Sequence, residues 1–269
     1  MIKLIATDLD GTLLSVGSEI PPENIAALRR AMDAGVLVTI ASGRMVEATL
    51  PIAQKVGVNA PLVVFNGAMI YDMQSDRILL GKVIPCATAV AVLKRLEELH
   101  AYTQAFPGRG FFFEKRCALT DYYENKIGVH GNELGMPLSQ WLPRDVYKLL
   151  VLGEAQQLDH VADLLQPEFP ELNFAKSGKT HLEIVPAGVD KAAGMRGISK
   201  VTGIPPEEML AFGDEMNDLP MLKYCGVSYV MENAPEHMRR EAEHIAPRNT
   251  DHGVARIVNQ YLDEGRMGG

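Results

Sequence analysis

Apolar residues along the chain fall into two recurring patterns. Short, nearly unbroken apolar runs occur at 2–7 (IKLIAT), 36–41, 62–65, 209–212 and 227–231. Runs of this length predict strands buried on both faces, as in a parallel sheet. Between them, apolar residues recur three and four apart. Ile25, Leu28 and Met32 follow Pro21-Pro22 and precede Gly35. That spacing predicts a helix with proline at its start and glycine just past its end. A second helix is predicted over 45–56, with Pro51 inside it. Strand, helix, strand, helix and strand joined by short links predict a parallel sheet covered by helices.

The pattern changes in the middle of the chain and then returns. Nine of the 17 aromatic residues lie within 100–150, including Phe111-Phe112-Phe113, Tyr122-Tyr123 and Trp141. Helical stretches (87–100, 157–165) alternate there with strand-like ones (147–152, 181–185). From Lys191 the first style resumes. Helices are expected over 190–202, 218–224, 235–243 and 253–263, and strands over 209–212 and 227–231. The expected architecture is α/β. A Rossmann-like parallel sheet with helices on both faces is formed by 1–83 and 187–269, and an α+β domain over 84–186 is inserted into it.

Composition narrows the partners. With 34 acidic and 26 basic residues the net charge is −8, and no basic run exists. Nucleic acid and anionic membrane are therefore not the expected partners. No apolar run reaches 18 residues, so no membrane span is expected. The first six residues are too short for a secretory apolar region and lack a small-residue cleavage site. Three cysteines, Cys86, Cys117 and Cys225, are odd in number and far apart. They predict unpaired thiols and a cytoplasmic location, and they lack the close pairs of a zinc cluster.

Four segments carry candidate chemistry, and each of the first three ends a predicted strand of the parallel sheet. Asp8-Leu9-Asp10-Gly11-Thr12 places two carboxylates two residues apart, on one side of an extended chain. Such a pair can bind a hard cation or divide nucleophile and acid/base roles. Gly213-Asp214-Glu215-Met216-Asn217-Asp218 brings three carboxylates within five positions. A helix starting near Asp214 would put Asp214 and Asp218 on one face; the plain alternative is a helix cap. Ala41-Ser42-Gly43-Arg44 offers a hydroxyl and free N–H groups to an anion at a helix start. Lys191 opens a predicted helix, where a lone cation opposes the helix dipole. Ligands of open α/β sheets bind beyond the carboxyl ends of the strands, so one crevice can collect all four. Asp8, Asp214 and Asp218 alone would repel a phosphate dianion. A Mg²⁺ ion and Lys191 together supply three positive charges against their three negative ones.

The segments resemble the four motifs of the haloacid dehalogenase-like phosphatase superfamily, and in particular its Cof-type sugar phosphatases with a type IIB (C2B) α/β cap. The match runs through DLDGTLL at 8–14, ASGR at 41–44, FNGA at 65–68, LEIVPAGVDKAAG at 182–194, GDEMNDLPML at 213–222, NAPE at 233–236 and DHGVA at 251–255. The resemblance implies an aspartyl-phosphate formed on Asp8, with Asp10 protonating the leaving oxygen and then activating water. It implies Mg²⁺ on the Asp8 side chain, the Asp10 carbonyl and Asp214, with Asp218 orienting the metal surroundings or Lys191. Leu9, Ser42, Gly43, Arg44, Lys191 and Asn217 fall at positions implied to hold phosphate. Ser42 stands where relatives often carry threonine, which keeps the hydroxyl.

The implied activity is Mg²⁺-dependent hydrolysis of small phosphorylated metabolites, sugar phosphates first, by a monomer or homodimer whose cap closes over the substrate and sets specificity. Two rivals share the fold. One is a phosphomutase or phosphotransferase. The other is a non-catalytic protein that binds phosphorylated ligands, though it would be expected to lose Asp8, Asp10 or Lys191.

Three further patterns fail their own requirements. Glu19 lies twelfth in a loop counted from Asp8, but the position that needs glycine in a calcium-binding EF-hand is Leu13. Gly178-Lys179-Thr180 lacks the leading glycine and following helix of a P-loop. Gly108-Arg109-Gly110 lacks the third glycine of a dinucleotide site. Phe111–Phe113 is expected in the core of the inserted domain. His181, near Lys176 and Lys179, is expected at a solvated surface, with all three as candidates to read the substrate's non-reacting end.

Overall fold

A computed structural model of the chain describes residues 1–15, 19–177 and 179–268. Its first stretch runs β1 (Leu4–Thr7), α1 (Pro22–Asp33), β2 (Leu37–Ile40), α2 (Val46–Val56), β3 (Leu62–Val64), β4 (Met69–Asp72) and β5 (Arg77–Gly81). The middle stretch runs α3 (Cys86–Glu98), β6 (Thr103–Phe106), β7 (Phe112–Phe113), α4 (Ala118–Ile127), β8 (Asn132–Glu133), α5 (Leu138–Trp141), β9 (Lys148–Leu152), α6 (Ala155–Glu168), β10 (Leu172–Lys176) and β11 (His181–Pro186). The last stretch runs α7 (Lys191–Thr202), β12 (Met209–Gly213), α8 (Leu219–Tyr224), β13 (Val227–Met231), α9 (Glu236–Arg239), β14 (Ile245–Ala246) and α10 (Gly253–Asp263). The chain folds into two compact units. One comprises 1–43, 49–80 and 190–269; the other comprises 44–48 and 81–189.

The first unit is built on a five-stranded sheet of order β14-β13-β12-β1-β2, parallel throughout. Alternate side chains feed opposite faces, as strand geometry requires. Leu4, Ala6, Met209 and Ala211 pack with Met195 and Ile198 of α7 and with Met221 and Leu222 of α8. The opposite face carries Phe212, which stacks on Tyr229; Tyr229 meets Tyr261 of α10 edge-on. α10 in turn packs against α1. Helices therefore cover both faces, and the central strands are buried throughout, as their unbroken apolar runs predict.

The expected third parallel strand behaves differently. β3 touches the sheet edge through one parallel bridge, Ala41 to Val63. It then pairs antiparallel with β4 in a separate three-stranded sheet, β3-β4-β5. The short run 62–65 is buried either way, so its composition does not distinguish the two pairings. The helix expected over 235–243 stops at Arg239.

The second unit holds a six-stranded mixed sheet, β10-β11-β9-β6-β7-β8, in which the β7–β8 pair is parallel and the others antiparallel. One face of this sheet, with Leu149, Val151, Leu182 and Ile184, packs against α3 and α6. The alternating positions mix aliphatic residues such as Leu150 and Val185 with Gln104, Phe106, Lys148, His181 and Glu183. Phe106 stacks on Phe111 at 5.6 Å between centroids, and Tyr123 meets Phe111 edge-on at 5.4 Å. Phe111 and Phe113 are fully buried, as expected of core residues. Among the described residues no helix is long and apolar enough to cross a membrane.

Candidate active site

Strand register brings the candidate segments to one edge of the parallel sheet. Thr7 of β1 is level with Phe212 of β12 on one side and Ile40 of β2 on the other. The next residues therefore leave the sheet together: Asp8 from β1, Ser42 two residues past β2, and Asp214 just past β12. The backbone N–H of Asp8 donates to the carbonyl of Phe212 (3.0 Å), and that of Ala41 to the carbonyl of Thr7 (2.9 Å).

The carboxylates converge. Asp8, Asp214 and Asp218 are buried, and each offers an oxygen within 4.8 Å of the others. The Asp10 side chain is exposed and outside this trio. Asp218 joins by a turn instead of a shared helix face. The helix expected over 218–224 begins at Leu219, and the alternative start near Asp214 does not hold, because one Asp218 oxygen accepts the N–H groups of Asp214 and Glu215 (3.0 Å each). An aspartate that binds nearby backbone N–H groups favours a turn over a helix.

Lys191, the first residue of α7, is 1% exposed. Its Nζ donates to Asp8 Oδ1 at 2.5 Å and to Asp218 Oδ1. Those two carboxylates explain a cation at a helix start. Burial alone would depress the ammonium group, but Asp218 and Asp8 outweigh it and raise its pKa. Burial likewise raises Asp8, against the pull of Lys191 and with the help of Asp218, Asp214 and Asp10. Burial also pushes Asp214 up to about 7, although the bond from Thr12 lowers it. The cluster thus has less positive charge than its three carboxylates call for, and all of its donors are hard oxygens. It fits a hard divalent cation such as Mg²⁺. Each of the three aspartates offers an oxygen to such an ion, and both Asp218 oxygens already accept hydrogen bonds, from Lys191 and from backbone N–H groups.

Gly11 shapes the approach to the cluster. Its φ is +80°, and a Cβ on it would lie 2.2 Å from Asp214 Oδ2. Only glycine combines that conformation with that proximity. Thr12, fully buried, donates its hydroxyl to Asp214 Oδ1 at 2.7 Å.

Ser42 is buried beside this edge, and its N–H donates to the carbonyl of Val63 (2.9 Å). Asn217 donates to Asn66 Oδ1 at 3.1 Å. A Cβ on Gly43 would lie 3.0 Å from the Asn66 amide. Asn66 therefore links the Gly43 and Asn217 segments, a role that sequence reasoning missed. The available signal was Asn66-Gly67 directly after a strand, since Asn and Gly both accept the left-handed conformation they adopt there (φ 53° and 96°). Gly67 also lets α7 approach, because a Cβ on it would lie 2.1 Å from the carbonyl of Asp190. Arg44 is buried and packs with the second unit.

Within the second unit, the surface expectation for His181 is overturned. His181 is 5% exposed in β11, and its Nε2 has no hydrogen-bond partner. β11 is an inner strand of its sheet, and Tyr122 and Tyr123 lie against the ring. Lys176 pairs with Asp159, and Lys179 is exposed. Of the stretch read against the P-loop pattern, Gly178 lies outside the described residues.

A parallel α/β sheet with three buried carboxylates and one buried lysine at its C-terminal edge, interrupted by an inserted mixed-sheet unit, defines a hydrolase class. The model of the haloacid dehalogenase-like hydrolases matches residues 5–258. The chain belongs to this family and is an enzyme of its phosphatase class. It is 27% identical to the 5-amino-6-(5-phospho-D-ribitylamino)uracil phosphatase YitU of Bacillus subtilis, over 96% of this chain and 97% of that one. It is 29% identical to the HMP-PP phosphatase of Yersinia pseudotuberculosis, over 97% and 96%. The crystal structure of TM0651 from Thermotoga maritima superposes with a TM-score of 0.86 at 28% identity, covering 97% of each chain.

Proposed function

We propose that the protein is a Mg²⁺-dependent phosphatase of small phosphorylated metabolites that works through a phosphoryl group carried on Asp8. The observation that carries this reading is the contact of Lys191 Nζ with Asp8 Oδ1, 2.5 Å apart, inside the three-carboxylate cluster. The ammonium group of Lys191 opposes the burial that raises Asp8 and so favours its ionised, nucleophilic form. Asp8 and Asp214, with the Asp10 carbonyl, would hold the Mg²⁺. Bound there, the ion supplies charge neutralisation for an approaching phosphate dianion.

The remaining steps belong to the chain's own groups. Asp8 attacks phosphorus, and the bond from phosphorus to the substrate oxygen breaks. The Asp10 carboxyl gives that oxygen its proton. As a carboxylate, Asp10 then takes a proton from water, whose oxygen attacks the phosphorus and releases Asp8. Leu9 and Gly43 N–H groups, the Ser42 hydroxyl, Asn217 and Lys191 hold the transferring oxygens, with Arg44 as a further anion partner. Asp218 holds Lys191. Catalysis is then mainly positioning and charge stabilisation.

The named relatives act on phosphorylated ribitylaminouracil and on HMP-PP, which supports a small-metabolite substrate; sugar phosphates are the first class to test. Phosphate release from an aryl phosphate is expected to require Mg²⁺, to stop with EDTA, and to fall about 10³-fold or more in Asp8→Asn. Full activity in that variant would remove Asp8 from its role. Release in isotopically labelled water should place the label in phosphate; transfer to an added sugar hydroxyl instead would favour the phosphotransferase reading.

A further inference from the structure

The NAPE and DHGVA segments carry none of the chemistry above, yet in the structure they converge on the loop that follows Asp8. Asn233 Nδ2 donates to the Gly11 carbonyl at 2.8 Å, and Asn233 Oδ1 accepts the N–H of Asn249 at 3.0 Å. Asn249 Nδ2 donates to the Leu14 carbonyl at 2.8 Å. Asn24, fully buried in α1, donates to the Leu13 carbonyl at 3.1 Å and accepts the N–H of Ala255 at 3.1 Å. Three side-chain amides thus fasten the nucleophile loop to α1 and to the start of α10.

The ties are not equivalent. Leu13 and Leu14 already lie in a turn closed by backbone bonds, from Leu13 N–H to the Asp8 carbonyl and from Leu14 N–H to the Leu9 carbonyl. Gly11 is the loose point. It must lack a Cβ to pass Asp214, and a residue without a Cβ has the widest freedom to swing. Its carbonyl belongs to the planar peptide that continues into Thr12. Thr12 holds Asp214 through its hydroxyl (2.7 Å); Asp10 lies on the other side of Gly11.

We propose that Asn233 is a positioning residue for phosphoryl transfer: by fixing the Gly11–Thr12 peptide it sets the direction of Asp10 and, through Thr12, that of Asp214. The side chain suits the task because one short amide both donates to the loop and accepts from Asn249. An aspartate of the same size would face the Gly11 carbonyl with a second acceptor. This inference rests on the proposed phosphatase reading.

The test compares Asn233→Ala with Asn24→Ala, which cuts a tie to the same loop at Leu13. For Asn233→Ala, kcat on an aryl phosphate should fall about 10- to 100-fold with KM within about twofold. Its Kd for Mg²⁺, measured by calorimetry without substrate, should rise about tenfold. Asn24→Ala should lose thermal stability but keep kcat and Mg²⁺ affinity within about threefold at a temperature where it is folded. Asn233→Asp keeps the size and the bond from Asn249, so it guards against a folding defect, and its kcat should fall at least as far. Wild-type kcat in either folded Asn233 variant would overturn the proposal. So would losses in Asn233→Ala and Asn24→Ala that simply track their melting temperatures. If the wild-type protein released phosphate from no phosphomonoester, the phosphatase reading would fall, and the Mg²⁺ titration alone would decide the role of Asn233.

Discussion

Asp214 shows how much of the site depends on single atoms. One of its oxygens accepts the Thr12 hydroxyl at 2.7 Å, while the other lies against the hydrogen side of Gly11. Thr12→Val keeps the shape and removes the donor. The Mg²⁺ concentration giving half-maximal activity should rise about tenfold, with about 1 kcal/mol lost in chemical denaturation. An unchanged Mg²⁺ requirement would show that Thr12 merely fills space. Gly11→Ala meets both a left-handed conformation and the Asp214 carboxylate, and is expected to lose Mg²⁺ binding altogether in calorimetry. At this scale the sequence was legible for groups whose chemistry is unusual for their setting. Two aspartates two apart and a lysine at a helix start stand out in any reading. Asn66 and Asn233 appeared only within the FNGA and NAPE segments, without a role, because the task of a half-buried asparagine shows only through its partners. Those partners, Asn217 and Gly11, lie 151 and 222 residues away.

Among the elements, α7 positions the ammonium group that lies buried among the site's carboxylates. Its first residue is Lys191, and its N-cap Asp190 accepts the N–H of Ala193 at 2.6 Å. The helix start rests on Gly67, whose φ is +96° and whose hydrogen faces the Asp190 carbonyl. Gly67→Ala should cost about 3 kcal/mol or more. It should also lower kcat by shifting Lys191, read as a fall in melting temperature together with lost turnover. Normal stability would mean that α7 reaches its place without this contact. The boundaries of α1, β13 and α10 were readable because proline, glycine and apolar period agreed there. The extent of α8 was readable to within a residue, but the turn at 214–218 before it was not, because it is held by side-chain bonds of Asp218 that periodicity does not register. β3 was legible as a strand but not by its partner, since burial of a short apolar run is compatible with parallel and antiparallel neighbours.

Across the whole chain, the insertion was visible because aromatic residues concentrate in it. The placement of His181 was not visible, because histidine next to lysines ordinarily marks a surface. Burial first, then the charges of Lys126 and Lys148, lower its pKa to about 4, against the opposing pull of Glu183; the Thr180 hydroxyl lies 2.9 Å from Nδ1. The folded protein therefore keeps this imidazole neutral, whereas an unfolded chain protonates it near 6.5. Between pH 6.5 and 4 the unfolded state binds the extra proton, so stability is complete above that window and declines as pH falls through it. The decline should be on the order of 1–3 kcal/mol and should be smaller in His181→Gln, as measured by denaturant unfolding at pH 7 and pH 5. Equal pH dependence in the two proteins would show that His181 is charged in the fold.

In the proposed reaction Asp8 carries the phosphoryl group between substrate and water. Acid quenching during steady-state turnover with Mg²⁺, followed by mass spectrometry of the peptide containing Asp8, tests it most directly. A phosphoryl adduct on Asp8 that disappears when substrate is exhausted is the expected result. Undiminished turnover in Asp8→Asn, with no adduct on Asp8 in the wild type, would contradict it.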